Sequence, residues 1–249
     1  MIMRIAISGA QCLGKTTLCN DILDTWKTYK KGPESYRTIV RENNLPLNKE
    51  VTKDGQRQIL QAQYEDVKQF KQGDKVIFDR CPLDNFIYSL WSFDKGKSDI
   101  DEDFVRDSIE TVKESMRYID IIFFIPITKT APIQLEARLM REIDEEYISE
   151  IDNLFKAVSY QHGKNQCPLF HKGDSPPMIE IFGSRLERIE LIKYYLNTDG
   201  DLIETQSSVL DLENLHAAEQ LLREQKEAFV EENKHNLIKK GIITSKYNK

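Results

Sequence analysis

Residues 3–17 read Met3-Arg-Ile-Ala-Ile-Ser-Gly9-Ala-Gln-Cys-Leu-Gly14-Lys15-Thr16-Thr17. An apolar run fit for a buried strand leads into the pattern G-x-x-x-x-G-K-T, and a segment with helical spacing follows. The two glycines allow the backbone to turn so that successive N–H groups face a phosphate, and the helix N-terminus adds positive charge at the same point. The stretch therefore predicts a strand, a phosphate-binding loop and a helix.

The loop is predicted to bind ATP through its phosphates. Lys15 supplies a mobile charge for the β- and γ-phosphates, and the Thr16 hydroxyl is placed to ligate Mg²⁺. Cys12 lies near a helix N-terminus and is either a reactive thiol or, as we favour, a small residue tolerated at a variable loop position. The predicted nucleotide-binding residues are Gly9, Ala10, Gln11, Cys12, Leu13, Gly14, Lys15, Thr16 and Thr17.

Strands and helices alternate along most of the chain. After the first strand, apolar runs predict a short strand within 28–34 and further strands at 75–79, 119–125 and 178–182. Such alternation implies parallel strands joined by right-handed helical crossovers. We therefore predict an α/β protein with the P-loop NTPase fold, in which helices flank a five-stranded parallel sheet.

The remaining segments suggest how the chain is divided. The acidic segment 94–103 and the segment 160–177, which holds two glycines and three prolines, are predicted to be loops. Apolar residues recur at helical spacing within 212–240. We assign residues 1–200 to the P-loop domain and residues 201–249 to a C-terminal helical extension.

Composition narrows the environment and the partners. The 249 residues carry a net charge of −6, which argues against broad, non-specific binding to nucleic acid or acidic membranes. A hydrophobic content of 40% is that of an ordinary globular protein with a sizeable core. The longest purely apolar run, 121–125, is too short to cross a bilayer, and no signal peptide is expected before the first strand. Four cysteines without C-x-x-C spacing are expected to be reduced thiols. We expect a cytoplasmic protein without a membrane partner and also consider a homodimer.

A second group of polar residues follows the strand at 75–79, in the sequence Asp79-Arg80-Cys81-Pro82-Leu83-Asp84. Ligands of parallel sheets bind beyond the carboxyl ends of the strands, so Asp79 and Arg80 are expected near the phosphate loop. Asp79 is suited to hold Mg²⁺ or to accept a proton, and Arg80 to pair with phosphate. The alternative is an Asp-Arg pair that caps the next helix, and Asp84 is equally explained as a helix cap.

The chain resembles the thymidylate-kinase-like and nicotinamide-riboside-kinase-like P-loop kinases in three motifs: the phosphate loop, Pro33-Glu34-x-x-Arg37 and Asp79-Arg80-x-Pro82-Leu83-Asp84. The resemblance covers about residues 3–197 and implies transfer of the ATP γ-phosphate to a nucleoside or (deoxy)nucleoside monophosphate. It places Asp79 by Mg²⁺ or as the base, Arg80 on phosphate and Glu34 on the acceptor sugar. Substrate contacts are thus expected from Glu34, Arg37, Arg80 and Asp84. Cys81 stands where thymidylate kinases usually carry an aromatic residue.

The charged segment 129–158 lies where these kinases carry a mobile helical lid with arginines over the transferring phosphoryl group. The resemblance therefore adds Arg138 and Arg141 to the catalytic residues Lys15, Asp79 and Arg80, without choosing between the two. The alternative is a solvated helix face, since acidic residues nearby are able to pair with both arginines.

Two other functions and one other site are considered. A phage-type kinase acting on a hydroxymethylated base in DNA needs a positive track, and the basic cluster available consists of Lys27, Lys30, Lys31, Arg37 and Arg41. DNA is therefore a less favoured partner. An ATP-hydrolysing switch would use the C-terminal helix to contact a partner. His162, Cys167 and His171 have loose metal-ligand spacing, but no fourth ligand for zinc is evident.

Overall fold

The computed structural model describes residues 3–128 and 144–203. Its centre is a five-stranded sheet in the order β2-β3-β1-β4-β5, with every neighbouring pair parallel. The prediction of a five-stranded parallel sheet is confirmed. The strands are β1 (Arg4–Ser8), β2 (Lys30–Lys31), β3 (Val76–Asp79), β4 (Ile121–Phe124) and β5 (Met178–Glu180).

Helices connect these strands and cover the sheet, as the alternation in the sequence predicts. The described residues form α1 (Lys15–Thr25), α2 (Ser35–Glu42), α3 (Lys53–Lys68), α4 (Pro82–Lys95), α5 (Glu102–Ser115), α6 (Glu145–Gly163) and α7 (Arg185–Ile192). Short 3-10 turns lie before α3 and after α5.

The three central strands form the core of the domain. All residues of β1, β3 and β4 are buried, because helices cover the sheet and leave no room for a solvated face. In the ladder, Ile5 of β1 lies between Ile77 of β3 and Ile121 of β4. The carboxyl ends of β1 and β3 therefore lie side by side, which brings the phosphate loop next to the residues that follow β3.

The acidic loop predicted at 94–103 is shorter in the structure. Helix α4 continues to Lys95 and ends at Gly96, whose φ of +58° gives the left-handed stop that glycine favours. Helix α5 begins at Glu102, because the Asp101 carboxylate accepts a hydrogen bond from the Phe104 N–H and caps the helix. Only 96–101 therefore remains loop.

The loop predicted at 160–177 also begins later than expected. Helix α6 extends to Gly163, and its last turn is held by the ring of His162. This ring stacks on Phe170 with 3.9 Å between the centroids, and its Nε2 lies 3.0 Å from the carbonyl oxygen of Pro176. A long-range contact thus stabilises a helical turn that the local sequence, rich in loop formers, argues against.

Several predictions fall on residues that the structure does not describe. Arg138 and Arg141 lie in 129–143, and most of the C-terminal extension lies in 204–249. Of the predicted lid, 145–158 belongs to helix α6. Within the described ranges, no helix combines the length and the apolar character needed to cross a membrane. The division at residue 200 and the roles of the two arginines stay predictions.

Candidate active site

The phosphate loop follows β1 in a conformation that requires glycine. Gly9 has a φ of +140°, and a Cβ atom there would lie 2.8 Å from the carbonyl oxygen of Ile125, closer than any tolerated contact. Gly14 has a φ of +85° and directly precedes α1. Cys12 also has a positive φ, +65°, and is half-buried. These backbone angles produce the tight turn that the sequence pattern predicts.

Lys15 opens helix α1, and its ammonium group lies over the loop. Its Nζ donates hydrogen bonds of 2.6 Å to the carbonyl oxygens of Gly9 and Ala10, and the side chain is buried. Within the part of the chain that the structure describes, no side chain caps the N-terminus of α1, and the first turn of this helix holds no acidic residue. The N-terminal N–H groups and the helix dipole are thus directed at the loop, which suits a phosphate.

A direct hydrogen bond joins the phosphate loop to the end of β3. The Thr16 hydroxyl donates to Asp79 Oδ2 at 2.5 Å, and Arg37 Nη2 donates to the same oxygen at 3.2 Å. Burial by itself would raise the pKa of Asp79. The positive charge of Arg80, the Thr16 hydrogen bond and the charges of Lys15 and Arg37 outweigh burial, so the pKa lies below its ordinary value. Asp79 is therefore a carboxylate at neutral pH.

Arg37 extends this contact to the predicted acceptor residue. Glu34 lies at the N-terminus of α2 and accepts from Arg37 Nε at 2.7 Å and from Lys31 Nζ at 3.0 Å. Thr16, Asp79, Arg37 and Glu34 thus form one continuous chain of polar contacts. It places the Pro-Glu-x-x-Arg motif beside the phosphate loop.

Arg80 adopts a strained backbone conformation next to Asp79. Its φ is +85°, a region that costs a non-glycine residue about 1–3 kcal/mol and recurs at functional sites. Its Nη1 lies 3.6 Å from Asp84 Oδ1, and its guanidinium carbon lies 5.6 Å from the ring centre of Tyr88. These contacts with Asp84 and Tyr88 fix the position of the guanidinium group, and their favourable energy helps to offset the backbone strain.

Asp84 caps helix α4, in agreement with the structural alternative. Its Oδ2 accepts from the Cys81 N–H at 3.1 Å and from the Ser8 hydroxyl at 2.8 Å. Its Oδ1 has no hydrogen-bond partner among the described residues, although it faces Arg80. Burial raises the pKa of Asp84 above its ordinary value, and the charges of Arg80 and Lys15 only partly oppose this effect. A substrate contact by Asp84 stays a prediction.

Three residues of this region carry no signal in the sequence. Tyr88 donates to Gln11 Oε1 at 2.6 Å and so links α4 to the phosphate loop. Ser8, the last residue of β1, is fully buried against Asp84. Arg188 of α7 donates to the carbonyl oxygens of Leu13 and Gly183. Apart from the contact between Arg188 and Gly183, these contacts join residues distant in sequence, so no local pattern predicts them. The structure places these residues with the predicted set of Gly9, Gly14, Lys15, Thr16, Glu34, Arg37, Asp79, Arg80 and Asp84.

The oxygens of Thr16 and Asp79 suit a magnesium ion. Mg²⁺ prefers oxygen ligands and is commonly held by one or two protein groups together with substrate phosphates. In the described part of the chain, no group of three or more His, Cys, Asp or Glu side chains is arranged to hold a metal ion. The zinc hypothesis for His162, Cys167 and His171 therefore gains no support, whereas a shared site with nucleotide phosphates fits the donors present.

A protein-family model described as an AAA domain matches residues 4–174, more than two thirds of the chain. The chain belongs to this AAA-domain family. The matched residues include the phosphate loop, the Glu34 segment and the residues that follow β3. Among curated proteins, none matches the chain.

Solved structures of P-loop nucleoside and nucleotide kinases share the fold of this AAA-domain chain. The NadR protein in complex with NR is 15% identical with a TM-score of 0.54, and the match covers 83% of this chain and 54% of NadR. Deoxyadenosine kinase from M. mycoides with bound dATP is 18% identical with a TM-score of 0.54, over 77% and 98% of the two chains. Thymidylate kinase from Candida albicans is 14% identical with a TM-score of 0.51, over 82% and 95%. The chain thus spans about half the length of NadR.

Proposed function

We propose that this protein transfers the γ-phosphate of ATP to a nucleoside or a (deoxy)nucleoside monophosphate. The hydrogen bond from Thr16 to Asp79 carries the proposal, because it joins a phosphate-binding loop to a second polar group at 2.5 Å. That second group contains the arginines and the carboxylate that an acceptor needs, in Arg37, Arg80 and Glu34. Kinases of known structure with the same fold support this choice of reaction.

The phosphate loop would hold ATP. Its N–H groups and the N-terminus of α1 would receive the β-phosphate, and Lys15 would move from the carbonyls of Gly9 and Ala10 to the β- and γ-phosphates. The Thr16 hydroxyl and the Asp79 carboxylate would hold Mg²⁺, which neutralises charge on the phosphates.

Asp79 and Glu34, two of the three carboxylates of the site, are suited to different roles. A proton acceptor works best with a pKa near the working pH, and the lowered pKa of Asp79 makes it a weak base. We therefore assign Asp79 to the metal. Glu34, held by Lys31 and Arg37, is assigned to the sugar of the acceptor.

In the transfer itself, an acceptor oxygen, from a nucleoside hydroxyl or from the phosphate of a nucleoside monophosphate, forms a bond to the γ-phosphorus while the bond from this phosphorus to the β–γ bridging oxygen breaks. A nucleoside hydroxyl releases its proton to solvent water, whereas a deprotonated monophosphate oxygen has none to release, and ADP leaves. Negative charge spreads over the phosphoryl oxygens, and Arg80 is fixed where it is able to offset this charge. Arg138 or Arg141 is proposed to add a further positive charge from the lid.

The alternative acceptor, DNA, is less favoured. Lys31 and Arg37 of the basic cluster both pair with Glu34, and Lys27 pairs with Asp24. Paired cations attract a polyanion less strongly than unpaired ones.

The four cysteines are free thiols, which is typical of proteins in a reducing compartment. On that ground we place the protein in the cytoplasm.

The proposal is tested with γ-radiolabelled ATP, Mg²⁺ and a panel of nucleosides, nucleoside monophosphates and DNA containing hydroxymethylated bases. The expected result is label transfer to one class of free nucleoside or nucleotide, and its loss in Lys15→Ala. Transfer to DNA alone would establish the phage-type alternative. ATP hydrolysis that no acceptor accelerates would instead favour the nucleotide-dependent switch.

A further inference from the structure

Arg188 is a buried arginine for which no ion pair is formed within the described residues. Its residue exposure is 6%, and the carboxylate whose charge acts on it, Asp21, pairs instead with Arg185. Burial lowers the pKa of Arg188, and the charge of Asp21 only partly opposes this effect. An unneutralised cation at such depth is costly unless another group compensates it.

The guanidinium group of Arg188 lies directly behind the phosphate loop. Its Nη1 donates to the carbonyl oxygen of Leu13 at 3.0 Å, and its Nε donates to the carbonyl oxygen of Gly183 at 3.0 Å. A Cβ atom at Gly14 would lie 3.2 Å from the same Nη1. The side chain therefore packs against the left-handed turn that begins α1.

The hydrogen bond from Arg188 to the Leu13 carbonyl also orients the N–H of Gly14, which belongs to the same peptide group. The peptide bond is planar and trans, so a carbonyl that points toward Arg188 makes the N–H of Gly14 point the other way. Gly14 precedes the N-terminus of α1, which no described side chain caps and whose N–H groups are suited to bind a phosphate. Arg188 thus sets the orientation of a donor that it does not touch.

We propose that Arg188 is a positioning residue for nucleotide binding. It connects the Leu13–Gly14 peptide to Gly183 in the loop that follows β5, and it supplies behind the phosphates a positive charge that forms no ion pair with the described residues. The proposal rests on the proposed nucleotide-binding function, but it does not depend on which acceptor is phosphorylated. The charge of a bound phosphate would in turn compensate the buried guanidinium.

The test measures the dissociation constant of Mg·ADP by calorimetric titration of the full chain. Arg188→Met is expected to weaken binding about tenfold or more, the scale of a lost charge-assisted hydrogen bond together with a lost charge. Arg188→Lys keeps the charge but not the two-pronged geometry, so an intermediate loss is expected. Lys193→Met is the matched control on the same segment, because Lys193 is exposed and pairs with Glu190.

Circular dichroism and urea unfolding without nucleotide separate a local effect from misfolding. A folded Arg188→Met protein with the affinity of the wild type would overturn the proposal, as would an equal loss in Lys193→Met. If Arg188→Met does not fold, Arg188→Lys decides, and wild-type affinity in that variant refutes the positioning role. A wild-type protein that binds Mg·ADP but phosphorylates no acceptor refutes the proposed function alone. A wild-type protein that does not bind Mg·ADP refutes both.

Discussion

Replacing Asp79 by asparagine tests the site at the point where its two halves meet. The substitution keeps the shape of the side chain but removes the negative charge of the carboxylate that accepts hydrogen bonds from Thr16 and Arg37. The amide oxygen of the introduced asparagine remains able to accept the Thr16 hydroxyl, so the folded structure is expected to persist. The proposed contact of Asp79 with Mg²⁺ and the negative charge of the carboxylate are lost.

The expected effects on stability and turnover differ in size. The contact with Arg37 involves a side chain that is 41% exposed, which limits what it contributes to folding. A loss of about 1–2 kcal/mol in the free energy of unfolding is expected from weakened charge-assisted hydrogen bonds. Because domains are commonly stable by roughly 5–15 kcal/mol, nearly all molecules stay folded. Turnover should nevertheless fall by about 10²-fold or more, and the Mg²⁺ concentration for half-maximal rate should rise.

The assay combines phosphoryl transfer over a range of Mg²⁺ concentrations with urea unfolding. Asp120→Asn is the matched control, because Asp120 accepts three hydrogen bonds from Arg4 at the opposite end of β1. That variant should lose stability and keep turnover. Equal turnover in Asp79→Asn and the wild type, with only a loss of stability, would show that Asp79 serves structure alone.

Two further substitutions test the surroundings of the site. Gly9→Ala should lower the free energy of unfolding more than Gly73→Ala in urea titrations, because both have a positive φ but only Gly9 meets the Ile125 carbonyl; equal losses would contradict this. Burial raises the pKa of Asp84, so the folded state holds the proton of this carboxyl more tightly than the unfolded state does. The free energy of unfolding therefore falls as the pH rises from the unfolded pKa of Asp84, about 3.9, to its raised pKa in the folded state. Asp84→Asn should remove this part of the pH dependence of unfolding, and a pH-independent difference from the wild type would refute the assignment.

The phosphate loop and the sheet were accessible from sequence because each depends on local patterns. The spacing from Gly9 to Lys15 encodes the loop without any distant residue, and the apolar runs encode buried parallel strands. The approach of Asp79 to Thr16 needed one further step, the rule that parallel strands present their carboxyl ends at one edge. That step does not require knowing the strand order in detail.

Contacts across the whole chain were not accessible in the same way. Arg188 lies 175 positions from Leu13 in the sequence. The sequence around Arg188 has the pattern of an amphipathic helix and does not distinguish this arginine from an ordinary polar residue on the helix surface. The last turn of α6 likewise depends on His162 meeting Phe170 and Pro176. Such pairs follow from how helices pack on the sheet, which a single sequence does not specify. In such places the tertiary contacts, rather than the intrinsic helix propensity of the local residues, determine the secondary structure.

The charge distribution is compatible with the proposed phosphate site in an acidic chain. The net charge of −6 describes the surface as a whole and predicts little attraction for a polyanion such as DNA. Lys15 and Arg188, in contrast, are each only 6% exposed, and both lie against the loop. Buried charges are screened less by salt than exposed ones, so a few of them act strongly on a ligand that reaches the loop. The chain therefore combines a negative net charge with positive charges buried at the loop, and this combination favours a small phosphorylated ligand over a long nucleic acid.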